Sequence, residues 1–282
     1  IGGRLQALYH EASGKVGGVD ASTQVPMHYK PQEEKYAYGY ETIGIPGVVA
    51  GLLKLHGHHG SLPLQTVMEP AIRYAEEGYQ ILPLEAKRQQ SAQTIFEQFE
   101  GTKTHFLNSD GQAFQAGDLV IQKTLAYTLK QIAAKGKAGF YEGEIAEKMV
   151  EDIQANGGIL TLEDLKNYEA LHAEVLEGSF QGTDVYALNL PSYGAITIQI
   201  LQIMDQLPPP ATEEDWAKQF DRVTALAYTY RKHQQNRDSL DKILDIKQAK
   251  VWADEIEGAE LKLVAEAINS MPKSWTAAVG HT

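Results

Sequence analysis

Cysteine is absent from the 282 residues, which excludes disulfides and thiolate metal centres. No apolar run approaches the roughly 18 residues that a bilayer span requires. Positive charge is scarce: 25 Lys plus Arg against 37 Asp plus Glu leave a net charge of -12. Nucleic-acid backbones and anionic membrane surfaces are repelled by that average, so neither is an expected partner. An initiator Met and a signal-peptide pattern are also missing, since the chain opens Ile1-Gly2-Gly3; the expectation is a piece of a longer precursor. What is present is ordinary globular material, 43% hydrophobic and 22% charged, long enough for a real core and read as one domain over 1–282.

The first twenty residues alternate as two strands, Leu5 to Tyr9 and Val16 to Val19, around a turn at Ser13-Gly14. Helical periodicity takes over from Val48. Helices are expected from Val48 to an end at Gly57, from Leu64 to Glu77 with a kink or late start near Pro70, and from Leu84 to Phe99. Two more cover Leu125 to Ala134 and Glu144 to Ala155, the second stopped by Gly157-Gly158. Thr161-Leu162-Glu163-Asp164 has the form of an N-cap with acids in the first turn, which marks a helix start rather than a site. Glu174 to Gly178 and Thr183 to Leu188 alternate as a strand pair, and Ala195 to Leu207 is helical up to Pro208-Pro209-Pro210. Three further helices follow to about Ile268, interrupted near Ser239 and Gly258. The class is α+β with helix dominant.

Candidate chemistry is sparse. His56, His58 and His59 are the densest set of metal-ligand types, but near neighbours at a helix end diverge and no carboxylate sits at ligand spacing. Imidazoles there also suit the helix dipole, so no metal is expected. Neither a dinucleotide fingerprint nor a phosphate loop occurs. Arg231-Lys232-His233 with Arg237 reads as one basic helix stripe, able to hold an anion but more ordinary as a solvated face. Thr282 stands out by position. A threonine hydroxyl becomes a nucleophile when a base adjoins it, and its own α-amine serves once the preceding bond is cut.

Several segments together resemble the large subunit of the gamma-glutamyltranspeptidase family. Ile1-Gly2-Gly3 is similar to its glycine-rich stretch, and Gly44-Ile45-Pro46-Gly47-Val48-Val49-Ala50-Gly51-Leu52 to its G-x-P-G-x-x-x-G-L signature. His59 to Leu64, Pro70-Ala71-Ile72 and Ala75 to Tyr79 continue in order. Gly139-Phe140-Tyr141-Glu142-Gly143, Ala155 to Gly158, Thr161 to Leu165 and Tyr168 complete the series. The resemblance implies the helix-rich large-subunit part of an αββα N-terminal nucleophile hydrolase sandwich. It also implies a segment ahead of Ile1 and a small subunit from the same precursor as partner.

On that footing the proenzyme cuts itself between His281 and Thr282, and Thr282 becomes the catalytic nucleophile of an amide-bond hydrolase or acyltransferase. The substrate is a small amide or peptide, and no metal or organic cofactor is needed. Two departures stand out. Family members that bind gamma-glutamyl groups carry an Arg-Glu pair after the first hairpin, where the Arg holds the substrate's α-carboxylate; here Ser22 and Thr23 take those substrate-binding places. The P-x-S-S-G-G turn appears as Leu190-Pro191-Ser192-Tyr193-Gly194-Ala195. The chain therefore looks like a divergent branch, similar to transpeptidase-like or cephalosporin acylase-like proteins, with an acyl group lacking a free α-carboxylate or α-amine expected to be preferred. The alternative is a catalytically lost relative serving as a helical binding module.

Overall fold

The computed structural model describes residues 3–31 and 37–258. Chain order begins with β1 (Leu5–His10), β2 (Val16–Ala21), α1 (Val48–His59), α2 (Leu64–Glu77) and β3 (Tyr79–Gln80). Next come α3 (Pro83–Ser91), α4 (Gln93–Phe96), α5 (Glu100–Phe106), β4 (Leu119–Val120), α6 (Lys123–Lys135) and α7 (Ala138–Tyr141). After α8 (Gly143–Ala155) and α9 (Leu162–Asn167) the strands β5 (Leu171–Ala173), β6 (Val175–Phe180) and β7 (Thr183–Leu188) follow. Helices α10 (Gly194–Gln206), α11 (Glu213–Thr229), α12 (Arg237–Leu244) and α13 (Ile246–Gly258) close the described chain. None of the described helices is long and apolar enough to cross a membrane.

The described residues divide into two compact units, one within 1–5 and 21–170, the other within 6–20 and 171–282. In the first, α2 packs on α6, and α7 and α8 join α9 over a core of Ile45, Val49, Phe140, Val150, Leu160 and Leu165. In the second, the hairpin β6–β7 pairs antiparallel from Val175↔Leu188 to Phe180↔Thr183 and lies on α10. Helix α10 is wrapped by α11, α12 and α13, which explains why its apolar residues run all round rather than along one stripe. A second sheet in this unit has the order β1-β2-β5, and Gly14 at φ 89° makes the turn between β1 and β2.

Local chemistry decides where the elements depart from the sequence pattern. The helix through Pro70 starts at Leu64, well ahead of the proline; packing on α6 supports the helix that Pro70 leaves short of one hydrogen bond. The helix expected from Leu84 to Phe99 breaks at Ala92. Gln93 is drawn aside there, its Oε1 accepting from Ala113 N–H at 3.1 Å and its Nε2 donating to Gln112 at 3.2 Å. The interruption placed near Ser239 lies instead ahead of Arg237, because the Asn236 side chain caps α12 by accepting from Ser239 N–H at 3.0 Å. Arg231, Lys232 and His233 form a separate 3-10 turn, so they and Arg237 do not share one helix.

The Thr161 cap forms as the sequence predicts. Thr161 Oγ1 accepts from Asp164 N–H at 3.1 Å, and Asp164 Oδ2 accepts from Thr161 N–H at 2.9 Å and from its hydroxyl at 2.6 Å. Asp164 also reaches across the fold, with Oδ1 accepting from Met27 N–H at 2.8 Å. Burial at 2% exposure works against its charge, but Thr161, Met27 and nearby His28 outweigh it and hold the carboxyl below the usual range. A depressed folded pKa contributes stability above the ordinary Asp pKa of about 4 that is lost as pH falls through the folded value. Asp164→Asn is expected to destabilise by about 1–3 kcal/mol at pH 7. Urea melts should show that difference shrinking below about pH 4; a constant difference across the range contradicts the assignment.

Candidate functional site

The segment after β2, which carries Ser22 and Thr23, is laid on a bed of glycines. A Cβ on Gly44 would meet Thr23 Cγ2 at 2.5 Å and the Gln24 carbonyl at 2.8 Å, and one on Gly47 would run into the Ala21 carbonyl and the Tyr168 hydroxyl. Gly51 likewise faces Ala21 Cβ at 2.6 Å. The close approach lets Gln24 bridge to Ile45, its N–H donating to the Ile45 carbonyl at 3.2 Å and its carbonyl accepting from Ile45 N–H at 2.8 Å. The G-I-P-G-V-V-A-G run is therefore the surface that the segment rests on, and that is the physical content of its glycines.

Two tyrosines fix the segment from below. Tyr168 donates to the Ser22 carbonyl at 2.8 Å, and Tyr141 donates to the Pro46 carbonyl at 2.8 Å while accepting from Ala50 N–H at 3.2 Å. Their rings stack with centroids 5.7 Å apart and 3° between planes, and both are buried. Burial pushes the Tyr141 phenol up to about 12, so it remains a donor throughout the neutral range. Both residues occur in the motifs of the sequence, but nothing in the one-dimensional pattern shows that they meet.

Thr23 and Gln24 form one wall of a cavity of about 800 Å³ whose lining also includes His28, Tyr29, Lys30, Glu41 and Thr42. Gly157, with φ 90°, closes its rim beside Ile159. Its size and mixed lining suit a small organic substrate. Ser22 is half-buried one residue back from this wall, with its backbone anchored by Tyr168. The sequence reading did not find His28, Lys30, Glu41 or Thr42, which come from a stretch with no regular periodicity. His281 and Thr282 lie outside the described residues.

The histidines at the end of α1 serve local structure. His56 Nε2 is engaged with the Leu62 carbonyl at 2.8 Å, and the His58 and His59 rings meet edge to face 6.1 Å apart. No group of three or more metal-ligating side chains occurs among the described residues. Changing all three to Gln is expected to leave kcat/KM of the full-length protein within about twofold, as surface substitutions away from a site usually do. Loss of activity on chelator treatment, or zinc at one equivalent in chelator-washed protein, contradicts that.

Comparison with known proteins gives a consistent picture. The family model described as gamma-glutamyltranspeptidase matches residues 1–277. A glutathione hydrolase proenzyme from Pseudomonas sp. (strain A14) is 33% identical over 171 residues, covering 60% of this chain and 30% of that protein. The Helicobacter pylori gamma-glutamyltranspeptidase crystal structure superposes with a TM-score of 0.87 at 28% identity, covering 100% of this chain and 85% of that one. Cephalosporin acylase from Bacillus halodurans gives 0.80 at 25% identity, covering 90% of this chain and 51% of that one. The α+β architecture is that of these N-terminal nucleophile hydrolases. The chain spans about a third of the length of the curated relatives it matches.

Proposed function

This chain belongs to the gamma-glutamyltranspeptidase family, and we propose that it is the large-subunit portion of a self-cleaving amide-bond hydrolase or acyltransferase with Thr282 as nucleophile. In maturation the Thr282 hydroxyl adds to the His281 carbonyl, and the C–N bond breaks as the acyl group shifts from nitrogen to oxygen. Water then hydrolyses the ester, releasing the His281 carboxylate and leaving Thr282 with a free α-amine and a free hydroxyl. In turnover that amine takes the hydroxyl proton as Oγ attacks the substrate amide, and the leaving amine departs protonated. Water or a second amine then removes the acyl group by the reverse path. Donors from the small subunit stabilise the oxyanion.

The observation that carries this reading is the family match over 1–277. The cavity beside Thr23 supports it, because a pinned, glycine-backed segment is a rigid wall for orienting an acyl group. The relatives named glutathione hydrolase proenzyme point to the same reaction class. Acid quench of the full-length protein with a slowly deacylating acyl anilide tests it. The acyl mass should map to the peptide that begins at Thr282. Turnover without that adduct, or an adduct on another residue, contradicts the proposal.

A further inference from the structure

A second cavity in the first unit, of about 730 Å³, adjoins the one beside Thr23, and Ile43 and Gly44 line both. Its walls come from the segment at 43–46 and from α6, α7 and α8. Along α8, Ile145, Met149 and Ile153 recur every four residues and present one apolar stripe to it. The stripe is left half-buried at Ile145 and Met149. Ile43, Pro46 and Phe140 complete the apolar lining. The polar lining is engaged within the protein. The Tyr127 hydroxyl and Lys148 Nζ both donate to Glu144 at 2.7 Å, and the Thr128 hydroxyl donates back to the Thr124 carbonyl at 3.1 Å. Lys123 is exposed and the Lys148 side chain is 69% exposed, so their heads lie in water while their stems add hydrocarbon at the rim.

We propose that this cavity receives the far end of the substrate's acyl chain, and that the acyl group is an uncharged aliphatic one of medium length. The inference rests on the amide-hydrolase or acyltransferase reading above and names its substrate class. Two observations point to this occupant. The first is the shared wall: Gly44 brings no side chain to it, so an acyl chain seated against Thr23 meets this cavity next. The second is the chemistry of the lining. Hydroxyls already partnered inside the protein offer an occupant little, whereas the apolar stripe gains from every methylene it removes from water. A charged chain end would give up its hydration for solvated lysines on flexible stems, which hold a partner weakly. Met149 is unbranched and polarisable, and so adapts to the end of a chain.

Assay of the full-length protein with butyryl, hexanoyl and octanoyl anilides tests the inference. Burying one methylene is worth about fourfold, so kcat/KM should rise roughly 100-fold from butyryl to octanoyl. A suberyl anilide, of octanoyl length with a terminal carboxylate, should lose most of that gain. Met149→Trp fills the cavity and should cut the octanoyl-to-butyryl ratio by about tenfold or more. Met149→Ala enlarges it and should move the preference to decanoyl; this shift decides if Met149→Trp fails to fold in thermal melts. Equal kcat/KM along the series, or an unchanged ratio in folded Met149→Trp, overturns the inference and leaves the reaction standing. Faster turnover of the suberyl than of the octanoyl anilide overturns the uncharged assignment. Turnover of no anilide at all counts against the reaction instead, and calorimetric titration with octanamide then decides for the cavity. Octanamide binding that Met149→Trp weakens by about tenfold upholds it. Binding that is absent, or equal in both proteins, overturns it.

Discussion

A butyryl anilide is expected to be turned over with a higher kcat/KM than the gamma-glutamyl anilide, and Ser22→Arg should reverse the order. The reason lies in one side chain. The resemblance implies that family members that bind gamma-glutamyl groups carry, at the position of Ser22, an Arg that pairs with the substrate's α-carboxylate. A guanidinium offers two parallel charge-assisted hydrogen bonds, whereas a hydroxyl offers one neutral bond. Leaving a buried carboxylate without its charged partner costs about 2–4 kcal/mol, or roughly 30- to 1000-fold in kcat/KM. The backbone at Ser22 is tied to Tyr168 at 2.8 Å, so the substitution alters the side chain on a fixed support. A glutaryl anilide, which keeps the carboxylate and drops the amine, separates the two charges. It should gain from Ser22→Arg about as much as the gamma-glutamyl substrate does. Preference of the wild type for the gamma-glutamyl anilide by tenfold or more contradicts the inference from Ser22.

Thr282→Ala is expected to abolish both maturation and turnover. On the proposed mechanism the two losses share a cause, because the hydroxyl that opens the His281–Thr282 bond is the one that later carries the acyl group. Removing a catalytic nucleophile lowers kcat by roughly 10⁴-fold or more even where the remaining site is intact. Thr282→Ser keeps an oxygen nucleophile and loses a methyl, so it should mature and turn over more slowly. Equal activity in wild type and Thr282→Ala places the chemistry on another residue.

Much of the local structure could be read from the chain, and the reasons are local. Gly157 after α8, the Thr161–Asp164 box and the turn at Ser13-Gly14 each act within a few residues, where type and spacing suffice. The strand pair β6–β7 was legible because its residues alternate about Gln181-Gly182. The breaks at Ala92 and ahead of Arg237 were not, since side-chain amides of Gln93 and Asn236 decide them against the periodicity. The site shows the same division. The glycine signature is visible in one dimension. The Tyr168–Ser22 bond spans 146 residues and the Asp164–Met27 bond 137, so no pattern within a window reveals what holds the segment. His28, Lys30, Glu41 and Thr42 reach the cavity from irregular backbone, which carries no hydrophobic period.

Intact mass of the full-length protein, expressed as wild type and as Thr282→Ala, tests the central claim most directly. The account predicts two chains from the wild type, one ending at His281 and the other beginning at Thr282, and a single uncut chain from the variant. A variant that separates into two pieces at the same bond, or a folded wild type that remains one chain while hydrolysing an acyl anilide, contradicts it.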